Sequence, residues 1–172
     1  MTRLLQTLTK TKNNIPSPIS RLKKPLLVAI VLFVALVVSN NWFQLALIQG
    51  DSMIPTYKNF QLVILDKRNN NYQSGDVVAF HCDGFDTILI KRIVASPKQT
   101  VVIKDKTLYV DGKPSSLYSE GLFDFAGLLE TKQTLFDDEY IVIGDNISKS
   151  KDSRYKQVGK IKLDSIIGKI LD

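Results

Sequence analysis

Ser52 stands in the stretch GDSMIPT (residues 50–56), between an acid and a methionine and just ahead of Ile-Pro. A serine hydroxyl is a weak nucleophile at its ordinary pKa and becomes effective only beside a base. The chain offers one histidine, His81, next to its one cysteine, Cys82. A lysine is the other candidate. Lys91 lies in TILIKRIVA (residues 87–95), 39 residues after the serine. Read as a strand, this segment puts Leu89, Lys91, Ile93 and Ala95 on one face and Ile88, Ile90, Arg92 and Val94 on the other. A half-exposed strand pairs an apolar face with a polar one. Here both faces are mostly apolar with one cation each, so the strand is expected to be covered on both sides.

Burial disfavours an ammonium and lowers its pKa. A lysine brought near neutrality can act as a general base. The plainer reading is a lysine at a strand edge, its stem along apolar surface and its head in water. Arg92 cannot deprotonate and needs a carboxylate or solvent. Any base on this strand is therefore Lys91. A third stretch, GDNISKSKDSR (residues 144–154), reads by itself as a polar turn with capping Asp and Ser residues.

Elements must bring these stretches together. The 172 residues suffice for one ordinary domain plus a short extra segment. One cysteine excludes an internal disulfide. One cysteine with one histidine argues against a multi-ligand zinc site, and neither a metal nor a cofactor is expected. The formal charge is +6, and it is unevenly spread. Residues 1–24 hold Arg3, Lys10, Lys12, Arg21, Lys23 and Lys24 and no acid, which leaves 17 bases against 17 acids in the rest. A nucleic-acid partner shows as a basic patch on the folded part. Here the excess adjoins an apolar run, which points to a lipid bilayer and not to nucleic acid.

That run, LLVAIVLFVALVV (residues 26–38), is followed by SNN and then WFQLALI. With interruptions at Ser39, Asn40, Asn41 and Gln44, Leu26–Ile48 is long enough to span, since about 20 residues cross the hydrocarbon core. The helix is predicted from about Pro25 to Trp42, with a short exit segment after it. A basic flank before the run leaves the N-terminus in the cytoplasm and sends the remainder across. A cleavable signal peptide ending near Val37-Val38-Ser39 competes with this reading. The long basic region and the resumption of apolar sequence at Trp42 favour a retained anchor. The expected organisation is a cytoplasmic tail (1–24), a transmembrane anchor (25–45) and an extracytoplasmic domain (46–172).

Beyond residue 48 the apolar segments are short and turn residues are dense. Strands are predicted in 60–67, 75–82, 87–95, 139–146 and 165–171, with a hairpin over 100–113 turning at Lys104-Asp105-Lys106. Residues 114–137 read as irregular. The fold class is mainly β: one antiparallel β-sheet domain, sandwich or barrel-like, preceded by one N-terminal transmembrane helix.

GDSMIPT after an anchor, KRIVA 39 residues on, and GDNISKSKDSR near the end together resemble the bacterial type I signal peptidases, membrane-anchored serine proteases with a Ser-Lys dyad. GDVVAF and TLYVDGK fit as further boxes, and the single anchor and the GDSM wording look most like the short enzymes of Gram-positive bacteria. The resemblance implies an endopeptidase that removes signal peptides from exported preproteins. Ser52 would be the nucleophile and Lys91 its neutral general base. Ser150 would orient the lysine amine, Asp145 would pair with Arg92, and Asp152 and Arg154 would support the site. The Ser52 N–H would form part of the oxyanion hole. Some family members place a serine two positions before the nucleophile as a second donor; this chain has Gly50 there, which leaves that donor unassigned. The family pattern also has an arginine after GDN, where this chain has Ile147. Ile48, Met53 and Ile90 would line shallow pockets for small side chains at the −1 and −3 positions, or be ordinary core. The alternatives are a related protein that assists surface or pilus assembly and, more remotely, a self-cleaving Ser-Lys repressor. The latter lacks support: no helix-turn-helix is visible, and the one Ala-Gly pair, Ala126-Gly127, lies after the serine.

Overall fold

The computed structural model describes residues 18–68 and 70–171, with side chains from residue 24 onward apart from positions 35 and 38–40. The expected cytoplasmic tail therefore lies mostly outside the described residues. Two units are described separately, the first up to Asn40 and the second from Asn41.

Helix α1 (Pro18–Trp42) is 25 residues long, about 37 Å at 1.5 Å per residue. It ends where the sequence predicts and begins seven residues earlier. Pro18 suits a first helical position, where a missing N–H costs nothing, and Leu, Arg and Lys then carry the helix up to Pro25. Among the described residues, no helix is long and apolar enough to cross a membrane. The transmembrane part of the expected fold is thus not found, although the helix itself is present.

The second unit is antiparallel β throughout its described pairings. Strands β1 (Phe43–Leu47), β2 (Leu62–Asp66), β3 (Val77–Cys82), β4 (Thr87–Ala95), β9 (Glu139–Ile143), β10 (Ile161–Lys162) and β11 (Ile166–Ile170) form a sheet in the order β1-β2-β11-β3-β4-β9-β10. A smaller sheet, β7-β6-β5-β8, contains β5 (Thr100–Lys104), β6 (Thr107–Val110), β7 (Lys113–Pro114) and β8 (Gln133–Thr134). The mainly antiparallel β domain of the sequence reading is thus present, built as two sheets. The exit segment after Trp42 is in fact β1, paired from Phe43↔Asp66 to Leu47↔Leu62. The β5–β6 corner falls at Asp105 and Lys106, both at positive φ, as a two-residue hairpin turn requires.

At β3 the large sheet is covered on both faces. Val77 and Ala79 of β3 pack with Ile48, Met53, Val63, Leu65 and Ile170, while Val78 and Phe80 pack with Ile93, Tyr140 and Val142. Strand β4 departs from the expected alternation at its end. A register shift between Ile93 and Ala95 against β9 brings Val94 and Ala95 into the same cluster, with Val101, Ile103 and Phe123 of the smaller-sheet region.

Candidate active site

Ser52 sits in the loop that joins β1 to β2. The neck of this loop is closed by Ile48 N–H donating to Gln61 O at 2.9 Å and Phe60 N–H to Ile48 O at 2.8 Å. Inside it, Ile54 N–H donates to Asp51 O and Tyr57 N–H to Met53 O, so the chain turns tightly around the serine. Ile48 and Met53 are buried and fasten the loop to the sheet. Gly50 lies at φ +91°, a conformation that favours glycine, and its N–H donates to Asn59 Oδ1 at 2.9 Å. The Gly50 amide is therefore committed to Asn59 and is not a free donor toward the serine.

Lys91 is 3% exposed, and its Nζ lies 2.8 Å from Ser52 Oγ. The same nitrogen donates to Ile90 O at 2.8 Å. A head in water, the strand-edge alternative, is not what the structure contains. Desolvation brings the lysine down from 10.5 to about 8, against the opposing pull of Asp152 first, then Cys82 and Asp145.

Arg92, on the neighbouring position, makes a bidentate pair with Asp145 at 2.8 and 2.6 Å and donates to Gly75 O at 2.7 Å. Thr56 Oγ1 donates to the same carboxylate. This threonine, four residues after Ser52, ties the serine loop to residues 144–154; it is the last residue of the GDSMIPT stretch, to which the sequence reading gave no role. Asn146 N–H donates to Ser52 O at 2.9 Å and makes a second tie.

Asp152 and Arg154 form a buried ion pair, with side chains 0% and 2% exposed and contacts of 2.8 and 2.9 Å. Asp152 also accepts from Gly144 N–H at 3.2 Å, and Arg154 donates to Ile147 O and Ser150 O. The pair thus stitches its own loop into one shape. Ser150 Oγ is buried and, among the described residues, has no hydrogen-bond partner. The expected bond to the Lys91 amine is replaced by the one to Ile90 O.

Gly144 is the contact point of these parts. A Cβ there would lie 2.3 Å from Ser150 Oγ and 2.6 Å from both Ser150 Cβ and Ser52 O. Gly144→Ala is expected to displace the serine backbone and lower the catalytic rate by about a hundredfold, since misplacement by 1 Å costs that much. Measured kcat would fall while secondary structure by circular dichroism stays; an unchanged kcat would refute the claim.

A cleft of 390 Å³ opens beside the Ser52–Lys91 pair. Its walls include Ile48, Met53 and Ile90, with Leu65 and Ala79 beneath. The structure brings all three expected wall residues to the serine. Among the described residues, two main-chain edges that border the cleft have no strand paired to them. β1 ends its sheet, and β4 pairs with β9 only from Arg92 onward, leaving Thr87–Lys91 open on that side. Among the described residues no cluster of His, Cys, Asp or Glu could hold a metal ion.

Residues 21–171 match the family described as signal peptidase, peptidase S26. The chain is 32% identical to signal peptidase IB of Staphylococcus aureus (strain Mu50), over 72% of this chain and 73% of that protein. It is also 32% identical to signal peptidase I S of Bacillus subtilis (strain 168), over 76% of each. A solved signal peptidase I from Enterococcus faecalis V583 shares 27% identity, covers 59% of this chain and 97% of its own, and superposes with a TM-score of 0.48.

Proposed function

The chain belongs to the signal peptidase family, peptidase S26, and on that premise we propose that it is a type I signal peptidase, a serine endopeptidase that cuts signal peptides from exported preproteins. The observation that carries the assignment of its machinery is a single one: a lysine amine, buried to 3% exposure, 2.8 Å from a serine hydroxyl in a cleft. The pilus-assembly and repressor readings gain no support from the relatives.

Ser52 Oγ attacks the carbonyl carbon of the −1 residue while neutral Lys91 accepts its proton. The resulting oxyanion faces the Ser52 N–H, a donor of the kind worth a few kcal/mol. Lysine then passes the proton to the leaving amine, the new N-terminus of the mature protein. Water, activated by the same amine, hydrolyses the acyl-serine ester. Ser150 is assigned to steady the lysine, and its partnerless buried hydroxyl is a group that could turn to do so. Asp145, held by Arg92, accepts from Thr56 and ties the serine loop to residues 144–154, while Asp152–Arg154 fixes the shape of that second loop. An extended peptide would hydrogen-bond between the open edges of β1 and β4, with small −1 and −3 side chains against Ile48, Met53 and Ile90. Incubating the detergent-solubilised protein with preproteins tests this directly; no cleavage of any preprotein by the intact protein would sink it.

The pH dependence follows from Lys91. Below about 8 its amine is increasingly protonated and cannot accept the serine proton. The rate kcat/KM is expected to fall about tenfold per pH unit below that point and to level off above it. A flat profile down to mildly acidic pH would contradict this. Stability has the same sign: the folded pKa lies below the unfolded one, so the cost of the buried charge is full below about 8 and is relieved as pH rises toward 10.5.

We place the anchor at residues 25–45, with the tail (1–24) cytoplasmic and the peptidase domain (46–172) outside. The unbroken apolar run of residues 26–38 and the basic residues before it support this, as do the run's side chains, from Leu26 at 61% exposed to Leu36 at 68%. The outer face of β1–β2 supports bilayer contact as well: Leu45 pairs with Ile64 and Leu47 with Leu62, and all four are exposed. Protein that turns up soluble after a carbonate wash of membranes would count against the placement.

A further inference from the structure

The cleft beside Lys91 is not the only concavity at Ser52. A second, of 640 Å³, lies against the other end of the serine turn, starting at Ile54 and Asn146. Both residues are adjacent to the nucleophile: Ile54 follows it by two positions, and Asn146 N–H is bonded to its carbonyl. Ile54, Leu122, Phe125, Ile147 and Tyr155 make the apolar half of its lining, and the other half is polar or charged. Its charged members are already neutralised. Asp145 is held by Arg92, Arg154 by Asp152, and Asp124 by Lys106. Leu122 and Phe125 are 43% and 46% exposed, so their side chains are open to an incoming group.

We propose that this second cleft receives the mature side of the preprotein, the residues just after the cut, and that it favours an apolar side chain there over an acidic one. The proposal rests on the peptidase reading. The −1 and −3 side chains occupy the cleft of Ile48, Met53 and Ile90, and the scissile carbonyl sits at Ser52. The chain that continues past the serine then meets this second concavity, which begins within two residues of it. Continuity through the Ser52–Ile54 turn identifies the occupant. Ile147 shapes this wall directly, since its side chain packs toward the smaller-sheet core while its carbonyl is fixed by Arg154.

The test uses the full-length protein in detergent and peptides with one constant signal-side sequence. Residues +1 to +4 are varied singly between Leu and Asp, and kcat/KM is measured for each. The unmodified protein should prefer Leu at one or more of these positions by about fivefold to tenfold, the low end of what one apolar pocket discriminates. Phe125→Ala should shrink that preference to near unity. Leu122→Lys should reverse it in favour of Asp, a change of sign that a general loss of packing would not produce. Equal kcat/KM for all peptides, or a Leu/Asp ratio unmoved by both substitutions, would overturn the proposal while leaving the peptidase reading intact. Failure of the unmodified protein to cleave any of the peptides or a preprotein would overturn the peptidase reading, and this proposal with it.

Discussion

Ser52→Ala and Lys91→Ala should each lower the rate of preprotein cleavage by about four to six orders of magnitude, and the double variant should be no slower than the worse single one. The two side chains form one unit. Without the hydroxyl there is nothing to acylate, and without the amine the hydroxyl keeps its proton. Their 2.8 Å separation means that each lost group disables the other. Lys91 is buried, so truncation to alanine also leaves a cavity. Lys91→Met, which keeps the volume and removes the amine, separates the two effects. It should fold and be as inactive as Lys91→Ala. Cleavage by Ser52→Ala or Lys91→Met at more than a hundredth of the normal rate, in quantitative gel assays with a preprotein, would rule out the dyad.

The second large effect is on stability. Arg154→Ala is expected to destabilise the β domain by about 3–5 kcal/mol, because Asp152, wholly buried, would be left as an unpaired charge. Asp152→Ala should cost a similar amount for the converse reason. The double replacement by apolar residues should cost clearly less than the sum of the two. Urea midpoints for the three variants measure this directly, and additive losses would show that the pair is not coupled. Asp152 has a second effect. Its charge attracts the Lys91 ammonium and holds that pKa up. Asp152→Asn should therefore move the acidic limb of the pH–rate profile to lower pH in whatever fraction remains folded.

Much of this was legible in the sequence. The β4 segment shows its boundaries at both ends, because β-branched and apolar residues on either side of Lys91-Arg92 admit little else. The two apolar faces of that strand imply cover on both sides, yet taken alone they leave an edge lysine with its head in water as the plainer reading, and the burial of Lys91 comes from the packing around it. Arg92 needs a carboxylate or solvent, and Asp145 supplies the carboxylate. Other parts depend on contacts between residues far apart in the chain. Phe43–Leu47 looked like a helix exit because its apolar residues continue those of the helix; only the partner strand at Leu62–Asp66 makes it β1. Thr56 and Gly144 carry no local signal of their roles, which arise where two distant loops touch. The two-residue strands β7, β8 and β10 are too short to show any periodicity.

The open edges beside Ser52 bear on the solubility of this protein. An unpaired strand edge is a template for another chain, and natural sheets usually blunt theirs with charge, proline or a covering element. The outer strand β1, FQLAL, has neither charge nor proline, and Leu45 and Leu47 add apolar surface along it. A peptidase that must accept a strand at this edge cannot also cap it. On the proposed reading, the opening that would admit substrate is also the place where two copies would pair, and a lipid or detergent surface over that face would protect the protein from itself between turnovers.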